Sequence, residues 1–226
     1  MTLSALLKGD FRLQFRYGFY GLYLLFCALY VGVLLVLPAP VRQTAALLMI
    51  FSDPAAMGLY FLGAMVLFEQ SQRVVSSLAV SPVTARDYVL SKLLSLSFVS
   101  TAAGVAIALF SGAGLPVLSL AAGVFLGSLL FSAVGMLLAA RAATLNRFIL
   151  STVPAEILII APAIFWLFAG QPDIMLLHPG VCVLVLCGGG GNAWIALAVL
   201  LLWTAGFFRL AQKAADRMFL KMGGGV

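Results

Sequence analysis

The sequence predicts an all-α integral membrane protein with six transmembrane helices, and three observations carry that prediction. Hydrophobic residues make up 64% of the 226 residues and charged residues 9%, with a mean hydropathy of +1.16; a water-facing surface cannot be built from that balance. The apolar residues fall in continuous runs near the roughly 20 that a helix rising about 1.5 Å per residue needs to cross a bilayer. Those runs lack the apolar and polar alternation of a barrel strand. The cations, finally, gather on one side of the runs.

The first element is residues 1–16. Leu3, Leu7, Phe11 and Phe15 repeat every four residues, beside a parallel stripe of Lys8, Arg12 and Arg16. On a helix these make an apolar edge and a cationic edge, suited to lying at the membrane interface against anionic headgroups. Asp10 and Gln14 interrupt the far flank of that face. Four charges precede the first apolar run, which is longer than the core of a secretory signal, so the segment reads as an interfacial helix leading into span 1.

The spans themselves are expected at Tyr17–Leu37, Thr44–Phe68, Val89–Phe110, Pro116–Ala140, Phe148–Ala169 and Ala193–Leu210. Lys8, Arg12 and Arg16 precede span 1; Arg73, Arg86 and Lys92 separate spans 2 and 3; Arg141 and Arg147 flank the loop before span 5; Arg209, Lys213, Arg217 and Lys221 close span 6. Of thirteen Lys and Arg residues only Arg42, expected as a solvated loop residue, lies opposite. That bias places both termini in the cytoplasm of a cell (inner) membrane protein. It also explains the pI near 9.6 with no nucleic-acid partner.

Between spans 2 and 3 lies the longest polar-rich stretch, Glu69 to Lys92, with the connecting loop over residues 69–88. Val74, Val75, Leu78 and Ala79 fall on one face of a helix, with Arg73, Ser76 and Ser77 turned away. Ser81-Pro82 ends that helix, because the residue before a proline is pushed out of the α region and the proline has no N–H. Thr84 and Asp87 then have the spacing of a capping box for a helix running through Lys92 into span 3. Before span 6, residues 172–191 carry an apolar core too short to cross a bilayer. Pro172, His178-Pro179-Gly180 and the Gly188–Gly191 run bound it, and it reads as a re-entrant or interfacial hairpin on the external side.

Two carboxylates stand within spans. Asp53 precedes Pro54 in span 2 and reads either as an N-cap for a helix restarted at Pro54 or as a lining residue of a pathway. Glu156 follows Pro154 deep in span 5, where a carboxylate costs a few kcal/mol unless protonated, hydrated or paired. It reads as a pathway or helix-interface residue, or as a protonated structural hydrogen bond. His178 is a turn or surface residue. Cys27, Cys182 and Cys187, odd in number and without paired spacing, indicate buried thiols and no metal site or disulfide framework.

The stretch FEQSQRVVSSLAVSPVTARDYVLSKLL after span 2, FSDPAAMGLYFLGAMVLFE leading into it, the interfacial helix and the six spans together resemble the permeases of ABC-2 type transporters. Within them the chain is most similar to short drug-export permeases of the fluoroquinolone-export kind. The resemblance implies a coupling helix over Glu69 through Ser81, with Glu69, Arg73, Val74, Val75, Leu78 and Ser81 at the contact with a cytoplasmic ATPase. It also implies a re-entrant element before the last span, and pairing with a second copy or a homologous permease. Because no G-x-x-x-x-G-K-[ST] loop occurs in the chain, ATP and Mg would be bound by a separate ATPase subunit, with no cofactor on this one. The Leu-, Phe-, Ala- and Gly-rich spans suit an amphipathic drug, lipid or peptide as cargo, with Asp53 and Glu156 as candidate pathway residues.

Other membrane classes fit less well. A CDP-alcohol phosphotransferase needs an acid-rich metal motif, and the seven acids are not so clustered. An intramembrane serine protease needs a histidine base facing a serine across spans, and the single histidine lies in the external hairpin. No catalytic residue or metal set is expected. The remaining alternatives are an ion-coupled carrier using Glu156 and a non-transporting scaffold subunit of a membrane complex.

Overall fold

Apolar helix length alone positions the framework. The computed structural model describes residues 3–79, 81–190 and 192–222, and these form helices and connecting turns with no strand among them. The helices are α1 (Leu3–Arg16), α2 (Phe19–Val36), α3 (Ala39–Ile50), α4 (Met57–Ser71), α5 (Val74–Ala79), α6 (Ala85–Phe110), α7 (Val117–Ala139), α8 (Leu145–Phe168), α9 (Pro179–Gly188) and α10 (Ala193–Met222). A π-helical turn, Phe51–Ala55, joins α3 to α4 as one 33-residue span. With that join, six helical segments are long and apolar enough to cross a membrane.

Several expected boundaries move. Span 2 begins at Ala39, because Pro40 at the first helical turn suits the fixed φ of proline. Arg42 is therefore a helical residue and not a solvated loop residue. Its Nη2 donates to Leu37 O at 2.9 Å, satisfying a carbonyl left over at the end of α2. Span 6 does not stop near Leu210 but continues unbroken to Met222. Asp53 caps nothing: it lies inside the π turn with Pro54, where the missing proline N–H is absorbed by widening the turn.

α7 is the central post, packed against α4, α6, α9 and α10. α4 approaches it closely because Gly135 brings no side chain between α7 and the Leu59 carbonyl, the small-residue packing by which helices associate in lipid. α2, α8 and α10 are the most exposed spans. α9 is ten residues long, too short to cross, and almost entirely buried. It ends at Gly189, whose φ of +73° is the left-handed cap glycine supplies. Trp203 of α10 holds the approach to this hairpin by donating from Nε1 to Leu177 O at 2.9 Å. The far end of the expected hairpin, Gly191, lies outside the described residues.

Candidate functional site

Two polar features interrupt the apolar framework, one at the cation-rich end of the bundle and one inside the spans.

At the cation-rich end, Lys92 on the second turn of α6 is buried, its side chain only 2% exposed. Its Nζ donates to Asp10 Oδ1 of α1 at 2.9 Å and to Glu69 Oε1 of α4 at 2.6 Å. The second oxygen of each carboxylate is also satisfied: Ser91 Oγ donates to Asp10 Oδ2 at 2.6 Å, and Tyr88 Oη to Glu69 Oε2 at 2.6 Å. The ammonium also lies 4.8 Å from the centroid of the Tyr88 ring, a cation–π contact. One turn further along, Gln14 Nε2 donates to Ser95 Oγ at 2.7 Å. Withdrawing three charges from water is tolerable only with such complete pairing. The result locks α1, α4 and α6 to one another.

α1 accordingly turns inward the flank that its apolar repeat leaves out. Asp10 and Gln14 are its buried residues, with Leu6 and Leu13 packed beside them on the bundle's core. Phe15, from the apolar edge expected to lie at the membrane interface, is 75% exposed.

The loop after α4 stands on this lock. Arg73 has a φ of +58°, a left-handed joint that turns the chain sharply between α4 and α5. α5 packs on α4 and α10. Its Val75 is fully buried and Leu78 is half-buried, with Met218 in the same cluster. Arg73, Val74 and Ser77 are exposed. α5 ends two residues before Ser81, whose Oγ donates to Leu78 O at 2.7 Å. Thr84 then caps α6, accepting from Asp87 N at 3.1 Å and donating to Asp87 Oδ2 at 2.8 Å. Among the six loop residues singled out from the sequence, Glu69 and Val75 therefore face the interior, while Arg73 and Val74 face outward.

Within the spans, Tyr60 of α4 donates its hydroxyl proton to Glu156 Oε2 of α8. Asp53 lies seven residues before Tyr60 on the same span. Both carboxylates are half-buried, and neither is ion-paired among the described residues, where the two ion pairs both belong to Lys92. A second polar thread runs from Tyr23 to Ser100 at 2.8 Å and on to Ser128 at 3.1 Å. Among the described residues no group of three or more His, Cys, Asp or Glu side chains could hold a metal ion. The three thiols are free.

Comparison with known proteins adds the decisive observation. The profile of the fluoroquinolones export permease protein family matches residues 1–221. The chain belongs to that family. It is similar to the fluoroquinolones export permease proteins of two Mycobacterium tuberculosis strains, CDC 1551 / Oshkosh and ATCC 25618 / H37Rv. Identity to each is 27% over 188 residues, covering 82% of this chain and 79% of the relative. As a member of this family the chain is an integral membrane permease.

In this permease the sequence left Asp10, Gln14, Tyr88, Ser91, Lys92 and Ser95 unassigned to any site. The signal was present in their spacing. Tyr88, Ser91, Lys92 and Ser95 fall at i, i+3, i+4 and i+7 at the head of an apolar span, and Asp10 and Gln14 at i and i+4. Two polar stripes of matching pitch, one with a cation and one with an anion, are complementary surfaces.

Proposed function

We propose that this permease is the membrane-embedded half of an ABC-2 type exporter, driven by ATP hydrolysed on a separate cytoplasmic ATPase. It would pair with a second copy or a homologous permease, in a cell (inner) membrane with both termini cytoplasmic. Its cargo would be an amphipathic drug, lipid or peptide, fluoroquinolones included, as the names of its relatives indicate. The observation that carries this reading is α5: a short helix held at the cation-rich end of an export-family permease, presenting Arg73, Val74 and Ser77 outward from a footing of paired charges. A contact made there is coupled to α1, α4 and α6 through Lys92. Movement of α4 would carry Tyr60, and with it the Glu156 contact, so a push on α5 has a route to the carboxylates of the spans.

The test is co-purification of an ABC ATPase subunit with the tagged full-length chain expressed in its native host. Arg73→Glu with Val74→Asp should abolish capture and leave membrane insertion unchanged, since both side chains face outward. Substitution at Val75 is not a clean probe, because a carboxylate there would enter a packed core. Undiminished capture by the outward double variant would place the contact elsewhere.

A second reading rests on the Tyr60–Glu156 hydrogen bond, with Asp53 on the same span as Tyr60: a proton- or ion-coupled carrier. Transport by the purified permease alone in vesicles carrying a proton gradient would favour it over the ATP-driven exporter.

A further inference from the structure

Four of the cations that gather at one end of the bundle converge on a single groove. Lys213, Arg217 and Lys221 recur every four residues on α10 and so share one face over about 12 Å. Arg141, just beyond the end of α7, lines the same groove of about 750 Å³. All four are exposed, and none is ion-paired among the described residues, whose two ion pairs both use Lys92. Asp216, the one acid in that stretch of α10, lines a different groove beside Thr84 and Phe219. The wall between the cations is apolar, formed by Leu137 of α7 with Leu210 and Met218 of α10. Leu210 continues the lipid-exposed surface of the span, which includes Leu202.

We propose that this groove binds an anionic phospholipid, with the headgroup phosphate held among Arg141, Lys213, Arg217 and Lys221 and an acyl chain lying along Leu137 and Leu210. Four like charges around one groove repel one another, and an anion removes that cost. The apolar wall selects the source of the anion. A water-soluble anion leaves Leu137 and Leu210 uncovered, whereas a lipid fills both halves of the groove and is already present in the plane where they meet. Basic pockets at the ends of transmembrane helices recognise anionic headgroups on these terms, at about 1 kcal/mol for each Lys or Arg near the surface, or roughly fivefold in affinity. The proposal does not depend on the ATP-driven reading, since a carrier would need the same annular contact.

Native mass spectrometry of the full-length purified chain, titrated with phosphatidylglycerol, cardiolipin or phosphatidylcholine, tests it. The wild-type chain should retain the anionic lipids in preference to phosphatidylcholine. The Lys213→Gln, Arg217→Gln pair should lower that preference by about 25-fold, from about fivefold per cation. The charge-keeping pair Lys213→Arg, Arg217→Lys should retain most of it. Arg86→Gln with Arg147→Gln, which removes two exposed cations outside the groove, should leave it unchanged. Equal loss in both Gln pairs would reduce the effect to net charge and overturn the site. So would unchanged preference in the groove variant, or displacement of the lipid by inorganic phosphate alone. A groove variant that keeps the lipid but no longer captures the ATPase would assign the cations to a protein partner and overturn the proposal.

Discussion

Lys92 and Asp10, 82 residues apart in the chain, meet at 2.9 Å with both side chains withdrawn from solvent. This contact makes the N-terminal helix part of the bundle's interior bonding and not merely a lipid-facing appendage. Glu69, at 2.6 Å on the other side of the same ammonium, makes it a bridge between three helices.

Removing only the cation should therefore be worse than removing the whole network. Lys92→Met leaves two carboxylates buried without their counter-ion, which should destabilise the protein by about 3–5 kcal/mol. The triple variant Asp10→Asn, Glu69→Gln, Lys92→Met removes all three charges and should recover a substantial part of that loss. Thermal unfolding in detergent, followed by size exclusion, ranks the two. A triple variant less stable than Lys92→Met would contradict a charge-pairing role.

The close approach of α4 and α7 makes a second expectation. A Cβ at Gly135 would collide with the Leu59 carbonyl, a backbone atom that cannot step aside, whereas one at Gly32 on α2 meets nothing within 4 Å. Gly135→Ala should cost about 1–3 kcal/mol through overpacking. Gly32→Ala should be neutral or stabilising by up to about 1 kcal/mol, since it removes backbone freedom at an open helical site. The same unfolding measurement distinguishes them.

His178 supplies a dependence on pH. Its Nε2 donates to Leu158 O at 3.1 Å, and its Nδ1 is buried without a partner. Burial pushes the imidazole below its ordinary pKa, with the Leu158 hydrogen bond opposing. The folded state thus binds the proton less readily than the unfolded chain. Stability from this group is fully present above the ordinary value near 6.5 and is lost as pH falls from there through the lowered value of the folded state. In the purified protein the segment around His178 should become more sensitive to added protease between pH 7.5 and 5, and His178→Gln should flatten that change. An unaltered pH profile in the variant would exclude His178 as its source.

Glu156 and Tyr60 are expected to matter for transport more than for assembly. Glu156→Gln keeps the shape and removes the charge; Tyr60→Phe removes the donor. On the proposed exporter reading, with the carboxylate facing the pathway, each should reduce efflux of a fluoroquinolone probe from cells by roughly tenfold, the rate equivalent of one charge-assisted hydrogen bond, with normal membrane levels. Full export by the Gln variant across pH 6 to 8 would eliminate both the pathway charge and proton coupling through it.

The parts of the fold that follow from local chemistry were legible in the sequence. Apolar run length marked six crossings, Ser81-Pro82 marked the end of α5, and the Thr84 hydroxyl and Asp87 amide formed the cap their spacing indicated. What escaped was set by contacts distant in sequence. Asp10 looked like a flaw in an amphipathic face because its partners, Ser91 and Lys92, lie on another helix. Lys92 counted only toward the one-sided cation bias for the same reason. Asp53 looked like an N-cap because Pro54 normally starts a helix, yet continuous packing of span 2 on α7 keeps the helix going through a widened turn. Val74 and Val75 are equivalent by composition. Only the docking of α5 against Met218 decides which one faces inward.

That widened turn gives the second span an angular phase break. A π turn holds about one residue more than an α turn, so everything after Ala55 is rotated by about 100° from where an unbroken α-helix would carry it. Tyr60, which reaches Glu156, and Glu69, which reaches Lys92, both lie downstream of the break. Deleting a single residue within Phe51–Ala55 would leave span 2 long enough to cross the membrane and would swing both side chains away from their partners in one step. The alignment between the carboxylates of the spans and the lock at the cation-rich end is thus set by a residue count in one turn, some distance from either.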